Sequence, residues 1–387
     1  MKKINFRFVL PVLMSFFVMS FCDLVGISLD RAKGDLHLTN TLAGLIPMAV
    51  FMWFLILSVS VGTLQDRIGK RNMLNIGMAL TALGLLLPYF AYSFTTLLIG
   101  FALLGIGNTI VQVSANPLMV DVVPKDKASS FLSFSQFIKA IGSMVAPFLA
   151  AWLAMQFGDW KLLFLVFGIV SILAVVWLGL VRIEESKNTE KRATVASSFR
   201  LLGNGYIALM VLGIFLVVGI DVGVNAVSGQ FLMQKFGSAQ VFAEKGRSIY
   251  FFGKMLGTFL GALMLVKLSS RKFFIGSSLF GLLSVLALIL APSEMSAMVI
   301  IFIVGLGFAN IFPLIFALSI ENFPTRSNEI SGLMMMAISG GAIIPFVMTR
   351  AIDSISLTAG MLVLVLCAVY LLFLSFFNLR RSRQAYL

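Results

Sequence analysis

The chain has 387 residues, of which 59% are hydrophobic and only 12% are charged, and its net charge is +13. Its mean hydropathy is +1.02. An ordinary soluble domain is about 45–50% apolar and about 25% charged, and even a fold of about 300 residues leaves roughly a quarter of its chain surface in water. The composition therefore excludes a soluble enzyme, a nucleic-acid-binding protein and a secreted disulfide-linked protein. It indicates an integral membrane protein.

Apolar runs divide the chain into predicted transmembrane helices, each of which needs about 20 mainly apolar residues. The longest linker, residues 182–203, is polar and charged and follows the sixth run. We therefore predict an all-α membrane protein of twelve transmembrane helices, with an N-terminal six-helix bundle in residues 1–181, a cytoplasmic linker and a C-terminal six-helix bundle in residues 204–387. The predicted spans are 6–28, 41–62, 72–92, 95–119, 130–154, 161–181, 204–231, 247–267, 273–291, 297–319, 330–350 and 358–379.

The positive charge is explained by membrane topology. If the N-terminus is cytoplasmic, most of the 29 Lys and Arg residues fall in cytoplasmic loops, as the positive-inside rule requires. Residues 2–22 have the basic start and apolar middle of a signal peptide but no small-residue cleavage site, so we predict that they begin the first span. The expected location is the bacterial inner (plasma) membrane, with both termini cytoplasmic and the protein a monomer.

The two halves resemble each other at an offset of 200 residues. Residues 105–107, GIG, recur as residues 305–307, GLG, and residues 121–124, DVVP, recur as residues 321–324, ENFP. A duplicated six-helix unit is typical of transporters in which two similar bundles move about a site at mid-membrane.

Residues 62–71, GTLQDRIGKR, lie between the second and third predicted spans. Glycines permit a tight turn and close helix approach, and Asp66 can stabilise a helix N-terminus and pair with a cation. The pattern G-x-L-x-D-R-x-G-K-R resembles the signature of the major facilitator superfamily. The resemblance implies a gate in this loop, not a substrate site. The predicted gate residues are Gly62, Asp66, Arg67, Gly69 and Arg71.

Further motifs occur in both halves: residues 113–117, VSANP, residues 253–258, GKMLGT, and residues 313–322, PLIFALSIEN. Together they resemble the fucose–galactose–glucose:proton symporter family. The resemblance implies a sugar-carrying, proton-coupled symporter of the major facilitator fold, and it links Lys254 to sugar binding or its coupling.

Four ionisable residues lie inside the predicted spans: Asp23, Lys139, Asp221 and Lys254. A charge at mid-bilayer costs about 2.5–3.5 kcal/mol on insertion scales, so such residues usually face a cavity or a partner. Two interpretations stay open. The four residues form ion pairs that lock the helices together, or they line a polar substrate site in which Asp23 and Asp221 couple transport to a proton, with sodium as the alternative ion.

The chain departs from the symporter family at positions that matter for coupling and substrate. By the resemblance, the positions of the family's two membrane acids hold Gly26 and Gln112, and Lys139 replaces a neutral, sugar-contacting amide. Asp23 lies about one helical turn from Gly26 and is the best candidate for protonation. The lysines favour an acidic sugar, such as a sialic or uronic acid, whereas pairing of Lys139 with Asp23 favours a neutral sugar.

Amide side chains offer two donors and an acceptor in a fixed plane, which suits the hydroxyl groups of a sugar ring. With the lysines they make up the predicted substrate-binding set: Lys139, Lys254, Gln112, Asn116, Gln136, Asn108, Asn225 and Asn310.

The only histidine, His37, and two distant cysteines give no metal-binding pattern, and the chain has no phosphate-binding P-loop. We therefore predict neither a cofactor nor a catalytic residue. The predicted function is secondary active transport of a sugar or sugar derivative by alternating access, coupled to protons, with the lipid bilayer and the solute as partners. The alternatives are an efflux carrier of the same fold for amphipathic drugs or metabolites, and a non-transporting membrane sensor.

Overall fold

The structure is a computed structural model, and it describes residues 4–38, 40–185, 194–238 and 240–384. The secondary structure of this part of the chain is helical. The helices of the first half are α1 (Phe6–Met19), α2 (Leu24–Asp35), α3 (Asn40–Ile68), α4 (Lys70–Phe90), α5 (Phe94–Val122), α6 (Ala128–Phe157), α7 (Leu162–Leu180) and α8 (Val195–Arg200). Those of the second half are α9 (Gly205–Phe236), α10 (Gln240–Met264), α11 (Ser270–Ile289), α12 (Glu294–Phe308), α13 (Ile311–Asn322), α14 (Ser327–Met336), α15 (Gly340–Ser354) and α16 (Leu357–Gln384).

The described residues contain 11 helical stretches that are long and apolar enough to cross a membrane, and they match 11 of the predicted spans. The eighth predicted span, residues 247–267, corresponds to the shorter apolar helix Ser248–Met264 within α10. The expected all-α membrane fold is confirmed.

Local sequence explains where equivalent helices begin in the two halves. At the start of α5, Ser93 and Thr96 form a capping box, in which each side chain accepts a hydrogen bond from the other residue's backbone N–H. Ser293 and Ser296 form the same box at the start of α12. Because such boxes satisfy N–H groups that have no partner within the helix, the duplicated halves repeat their capping chemistry as well as their glycines.

Some predicted spans are not continuous helices. The 3₁₀ turn Ser20–Asp23 separates α1 from α2, and the turn Ala337–Ser339 separates α14 from α15. A third irregularity at residues 309–310 separates α12 from α13. Interrupted helices in transporters commonly mark binding sites or hinges. The first interruption places Asp23 at the junction of two half-helices.

The chain forms two compact units. Unit 1 consists of Met1–Ala128, Ile138–Arg200 and Phe323–Met336, and unit 2 consists of Ser129–Phe137, Leu201–Asn322 and Ala337–Leu387. Each unit therefore contains most of one half and a short segment of the other, which differs from a division at the linker alone. Within the predicted linker 182–203, helix α8 belongs to unit 1.

Asp35 anchors the end of α2 in unit 1. Its Oδ2 accepts hydrogen bonds from the Tyr92 hydroxyl at 3.0 Å and from Trp160 Nε1 at 2.9 Å. Burial raises the pKa of Tyr92, and the hydrogen bond to Asp35 adds to this effect. The half-helix that follows Asp23 is thus held at its far end by two aromatic side chains.

Candidate functional site

Asp23 lies in unit 1 beside α6. Ser143 Oγ donates a hydrogen bond to Asp23 Oδ2 at 2.5 Å. The 3₁₀ turn approaches α6 so closely that a Cβ atom on Gly142 would collide with the Ser20 side chain. Glycine at position 142 therefore allows the contact that places Ser143 against Asp23.

Three predicted substrate residues form a hydrogen-bonded row along α5. Asn108 Nδ2 donates to the Met19 carbonyl at 2.8 Å, Gln112 Nε2 donates to Asn108 Oδ1 at 2.9 Å, and Asn116 Nδ2 donates to the Gln112 carbonyl at 2.8 Å. Asn108 is fully buried and supports the end of α1. Gln112 is 7% exposed, and Asn116 Oδ1 has no hydrogen-bond partner among the described residues.

Lys139 lies on α6, one turn before Ser143, and is partly exposed. No ion pair joins Lys139 to a carboxylate among the described residues. The sequence analysis named Asp23 as a possible partner of Lys139. Asp23 instead accepts a hydrogen bond from the Ser143 hydroxyl. Unit 1 therefore contains an acid and a base within its spans that are not paired with each other.

Unit 2 arranges its intramembrane charges differently. Lys254 Nζ lies 2.5 Å from Asp221 Oδ2, and the Tyr250 hydroxyl donates to Asp221 Oδ1 at 2.5 Å. The lysine and aspartate side chains are 27% and 15% exposed, whereas Tyr250 is fully buried. Tyr250 is absent from the predicted site residues. Its spacing of four residues from Lys254 could have indicated this role, because residues four apart lie on one face of a helix.

The remaining predicted ligands differ in their surroundings. Asn310 lies at the irregularity between α12 and α13, where its Nδ2 donates to the Gly257 carbonyl at 2.8 Å and its Oδ1 has no partner among the described residues. Gln136 is partly exposed on α6, in the segment that belongs to unit 2. The side chain of Asn225 lies outside the described residues.

The predicted gate residues lie where α3 meets α14 and α4, all within unit 1. Asn328 Nδ2 donates a hydrogen bond to Asp66 Oδ1 at 2.5 Å. A Cβ atom on Gly62 would lie 2.6 Å from the Asn328 carbonyl oxygen and 2.9 Å from the Gly332 Cα. Arg67 is exposed. The glycine motif thus brings α3 into close contact with α14.

Lys70 is absent from the predicted gate residues, yet it is the most enclosed charge of the loop. Its side chain is 1% exposed, and its Nζ lies 2.7 Å from Asp121 Oδ2 and 3.4 Å from Ser327 Oγ. From the sequence, Lys70 is only one of several basic residues in a loop. The acid of the repeated 121–124 motif could have indicated its role, because a buried acid requires a cationic partner.

Glu185 is a second residue that the sequence pattern did not indicate. Its carboxylate accepts hydrogen bonds from the backbone N–H groups of Lys70 at 2.6 Å and Arg71 at 2.9 Å. The residue before α4 is Gly69, with a φ of 91°, which has no side chain to cap the helix. The acid supplies the missing acceptor and suits the positive end of the helix. Arg71 in turn donates to the Gly179 carbonyl at 2.5 Å.

A family model described as Major Facilitator Superfamily matches residues 11–345. The chain belongs to the Major Facilitator Superfamily. It is therefore a multi-pass membrane protein of a transporter family and not an enzyme. Among the described residues of this superfamily member, no group of His, Cys, Asp and Glu side chains is placed to hold a metal ion.

Relatives within the superfamily match almost the whole chain. The chain is 26% identical over 391 residues to the glucose/galactose transporter of Brucella abortus, covering 95% of this chain and 93% of the relative. It shares its fold with the fucose:proton symporter of E. coli, with a TM-score of 0.84, 17% identity and coverage of 96% and 98%. The proton:xylose symporter XylE matches with a TM-score of 0.76, 16% identity and coverage of 97% and 95%. These two structures confirm the major facilitator fold of two similar six-helix bundles.

Proposed function

We propose that the chain is a proton-coupled sugar symporter of the bacterial inner membrane, with both termini in the cytoplasm. The environment of Asp23 is the observation on which this proposal rests. Asp23 is an exposed carboxylate at the interruption of the first span, bound by the Ser143 hydroxyl and by no ammonium group among the described residues. Such a carboxylate can bind and release a proton without the breaking of an ion pair.

The amide side chains of α5 support a hydroxylated substrate. Gln112 and Asn116 belong to the same unit as Asp23, and the free Oδ1 of Asn116 can accept a hydrogen bond. Transporters of glucose, galactose, fucose and xylose among the relatives and fold neighbours favour a sugar over an amphipathic drug.

An acidic sugar is the second candidate substrate, and Lys139 favours it. An ammonium group in a membrane span without a carboxylate partner among the described residues attracts a solute carboxylate, because an uncompensated charge there is costly. The neutral alternative relies on pairing of Lys139 with Asp23, and the ion pairs among the described residues do not include these two.

The test uses the purified protein in proteoliposomes with radiolabelled D-galactose and D-galacturonate, which differ only at the terminal carbon of the sugar. We expect an inward proton gradient to drive accumulation of sugar. Asp23→Asn should abolish proton-driven accumulation of D-galactose and preserve its exchange at equal pH. Asp126→Asn, which removes an exposed acid from a loop, is the matched control and should behave as the wild type.

Uptake that ignores the proton gradient, or accumulation by Asp23→Asn at the wild-type level, contradicts the coupling role. Lys139→Gln separates the two substrates: a selective loss of galacturonate transport supports an acidic sugar, whereas an equal loss of both rejects it.

A further inference from the structure

We infer that Lys254 and Asp221 form an exchangeable ion pair, in which the carboxylate of an acidic sugar replaces Asp221 on Lys254 while Asp221 takes up one proton. The inference rests on the proposed sugar transport and deepens it. It names the ligand class, a sugar carboxylate, and the ammonium group that binds it.

The pair is both tight and reachable. Lys254 Nζ lies 2.5 Å from Asp221 Oδ2, yet the two side chains are 27% and 15% exposed. The Lys70–Asp121 pair in unit 1 shows the contrast, because its side chains are only 1% and 9% exposed. Because part of each side chain is exposed, a ligand that reaches this surface can compete with Asp221 for Lys254.

No other charge among the described side chains holds Asp221. The elements packed against α9 are α10, α12, α13, α15 and α16, together with the 3₁₀ turns Leu201–Gly203 and Ala337–Ser339, which carry no titratable group. On α10, the groups that contact Asp221 are Tyr250 and Lys254. The other charged or titratable side chains described on α9 and these elements are Tyr206, Lys235, Glu294, Glu321, Arg350, Asp353, Cys367 and Tyr370. Four of them bind other residues: Tyr206 binds Asn378, Lys235 binds the Ile289 carbonyl, Glu321 binds Arg271 and Tyr370 binds the Leu209 carbonyl.

The exchange conserves charge. In the empty protein, Asp221 and Lys254 neutralise each other. A sugar carboxylate brings one negative charge and a proton from the same aqueous side brings one positive charge, so the sugar pairs with Lys254 and Asp221 becomes a neutral acid. The only covalent bond formed is the O–H bond on Asp221. Without that proton, Asp221 would be left as an uncompensated charge in the membrane, which is unfavourable, so ligand binding and protonation are linked.

Tyr250 is the positioning residue for Asp221. Its hydroxyl binds Oδ1, whereas Lys254 binds Oδ2, so the two contacts are independent. Tyr250 is fully buried and cannot follow Lys254 when that side chain turns to a ligand. A phenol hydroxyl can donate to a carboxylate or accept from a carboxylic acid, so it can hold Asp221 in place in both protonation states.

The test measures D-galacturonate and D-galactose fluxes in proteoliposomes of the full chain, with separate control of the pH gradient and the membrane potential. Wild-type galacturonate uptake should consume one proton more per molecule than galactose uptake and carry the same net charge. Lys254→Gln should lower galacturonate exchange about 30-fold or more, the usual effect of removing one partner of a buried charge pair, and lower galactose exchange far less. Asp221→Asn should remove the additional proton, so that galacturonate uptake consumes no more protons per molecule than galactose uptake.

Matched variants separate charge exchange from folding. Lys267→Gln removes an exposed lysine of the same unit and should leave both fluxes unchanged. The double variant Asp221→Asn/Lys254→Gln has no unpaired charge, so it should elute as a folded protein on size exclusion yet bind no galacturonate. Tyr250→Phe should shift the pH dependence of galacturonate uptake, which a merely structural tyrosine would not do.

Equal proton consumption per molecule for galacturonate and galactose in the wild type, an unchanged proton-to-galacturonate ratio in Asp221→Asn, or recovered galacturonate transport in the double variant would each overturn the exchange. If the wild type moves galactose with protons and excludes galacturonate, the exchange fails and the proposed function stands. If the wild type moves neither sugar, the proposed function itself fails.

Discussion

Each half carries an ion pair at the acid of its repeated motif, and the two pairs differ in burial. In unit 1, Lys70 Nζ lies 2.7 Å from Asp121 Oδ2, and the side chains are 1% and 9% exposed. In unit 2, an Arg271 guanidinium nitrogen lies 2.8 Å from Glu321 Oε1, and the side chains are 22% and 51% exposed. The two acids begin the repeated motifs 121–124 and 321–324. Duplication has therefore preserved the position of the acid, whereas its cationic partner lies at position 70 in one half and at position 271, one residue beyond the offset of 200, in the other.

The two pairs also differ in their neighbours. In unit 1, α14 brings Ser327 to 3.4 Å from Lys70 Nζ. In unit 2, the start of α6 contacts α11 through the Ser129 and Ser270 hydroxyls at 2.9 Å, one residue before Arg271. Breaking a buried pair leaves an uncompensated charge, whereas an exposed pair contributes about 0–1 kcal/mol. Corresponding substitutions should therefore have unequal effects in the two units.

The largest expected effect comes from Lys70→Met, which leaves Asp121 buried without its ammonium partner. We expect the free energy of unfolding to fall by about 3–5 kcal/mol, as measured by equilibrium unfolding in mixed micelles. The double variant Lys70→Met/Asp121→Leu removes both charges and should recover much of that loss. A loss below about 1 kcal/mol for the single variant would show that burial does not distinguish the two pairs.

An intermediate effect is expected from Gly62→Ala, because the added methyl group would meet backbone atoms of α14. Overpacking of this kind costs about 1–3 kcal/mol. The counterpart in unit 2 is Ala262, whose carbonyl already accepts a hydrogen bond from Ser130. The reverse substitution Ala262→Gly should cost about 1 kcal/mol, through helix propensity alone. If Gly62→Ala is as stable as the wild type in the same unfolding experiment, close packing against α14 is not required.

The smallest effect is expected from Glu321→Gln, which removes the charge of the exposed pair. The free energy of unfolding should change by no more than about 1 kcal/mol, and less at high salt, because solvent screens the interaction. If the free energy of unfolding falls by more than about 2 kcal/mol, the exposed pair contributes far more than an exposed pair should, and the predicted difference between the two pairs is wrong.

Hydropathy was sufficient to predict the fold, since each span follows from a local run of apolar residues. The interruptions were not predictable in this way. Residues 20–23, SFCD, carry no glycine or proline that would mark a break, and the 3₁₀ turn depends on contacts with α5 and α6, such as the Asn108 bond to the Met19 carbonyl. The assignment of Ser129–Phe137 to unit 2 and of Phe323–Met336 to unit 1 likewise depends on tertiary packing, which no local sequence pattern indicates.

The charged members of the candidate site were predictable, because an acid or base in a membrane span is rare. Their partners were not. Ser143 and Tyr250 are ordinary residues of membrane helices, and only the rotation of α6 and α10 turns them toward Asp23 and Asp221. Glu185 lies more than a hundred residues from the helix that it caps, so its role depends entirely on the folded chain.

The central claim, that this chain moves sugar together with protons, has one most direct test. Proteoliposomes in weak buffer receive D-galactose while a pH electrode records the external medium and a filter assay records radiolabelled sugar entry. The wild type should alkalinise the medium as galactose enters, and Asp23→Asn should not. Galactose entry into wild-type vesicles with no change in external pH would contradict the claim.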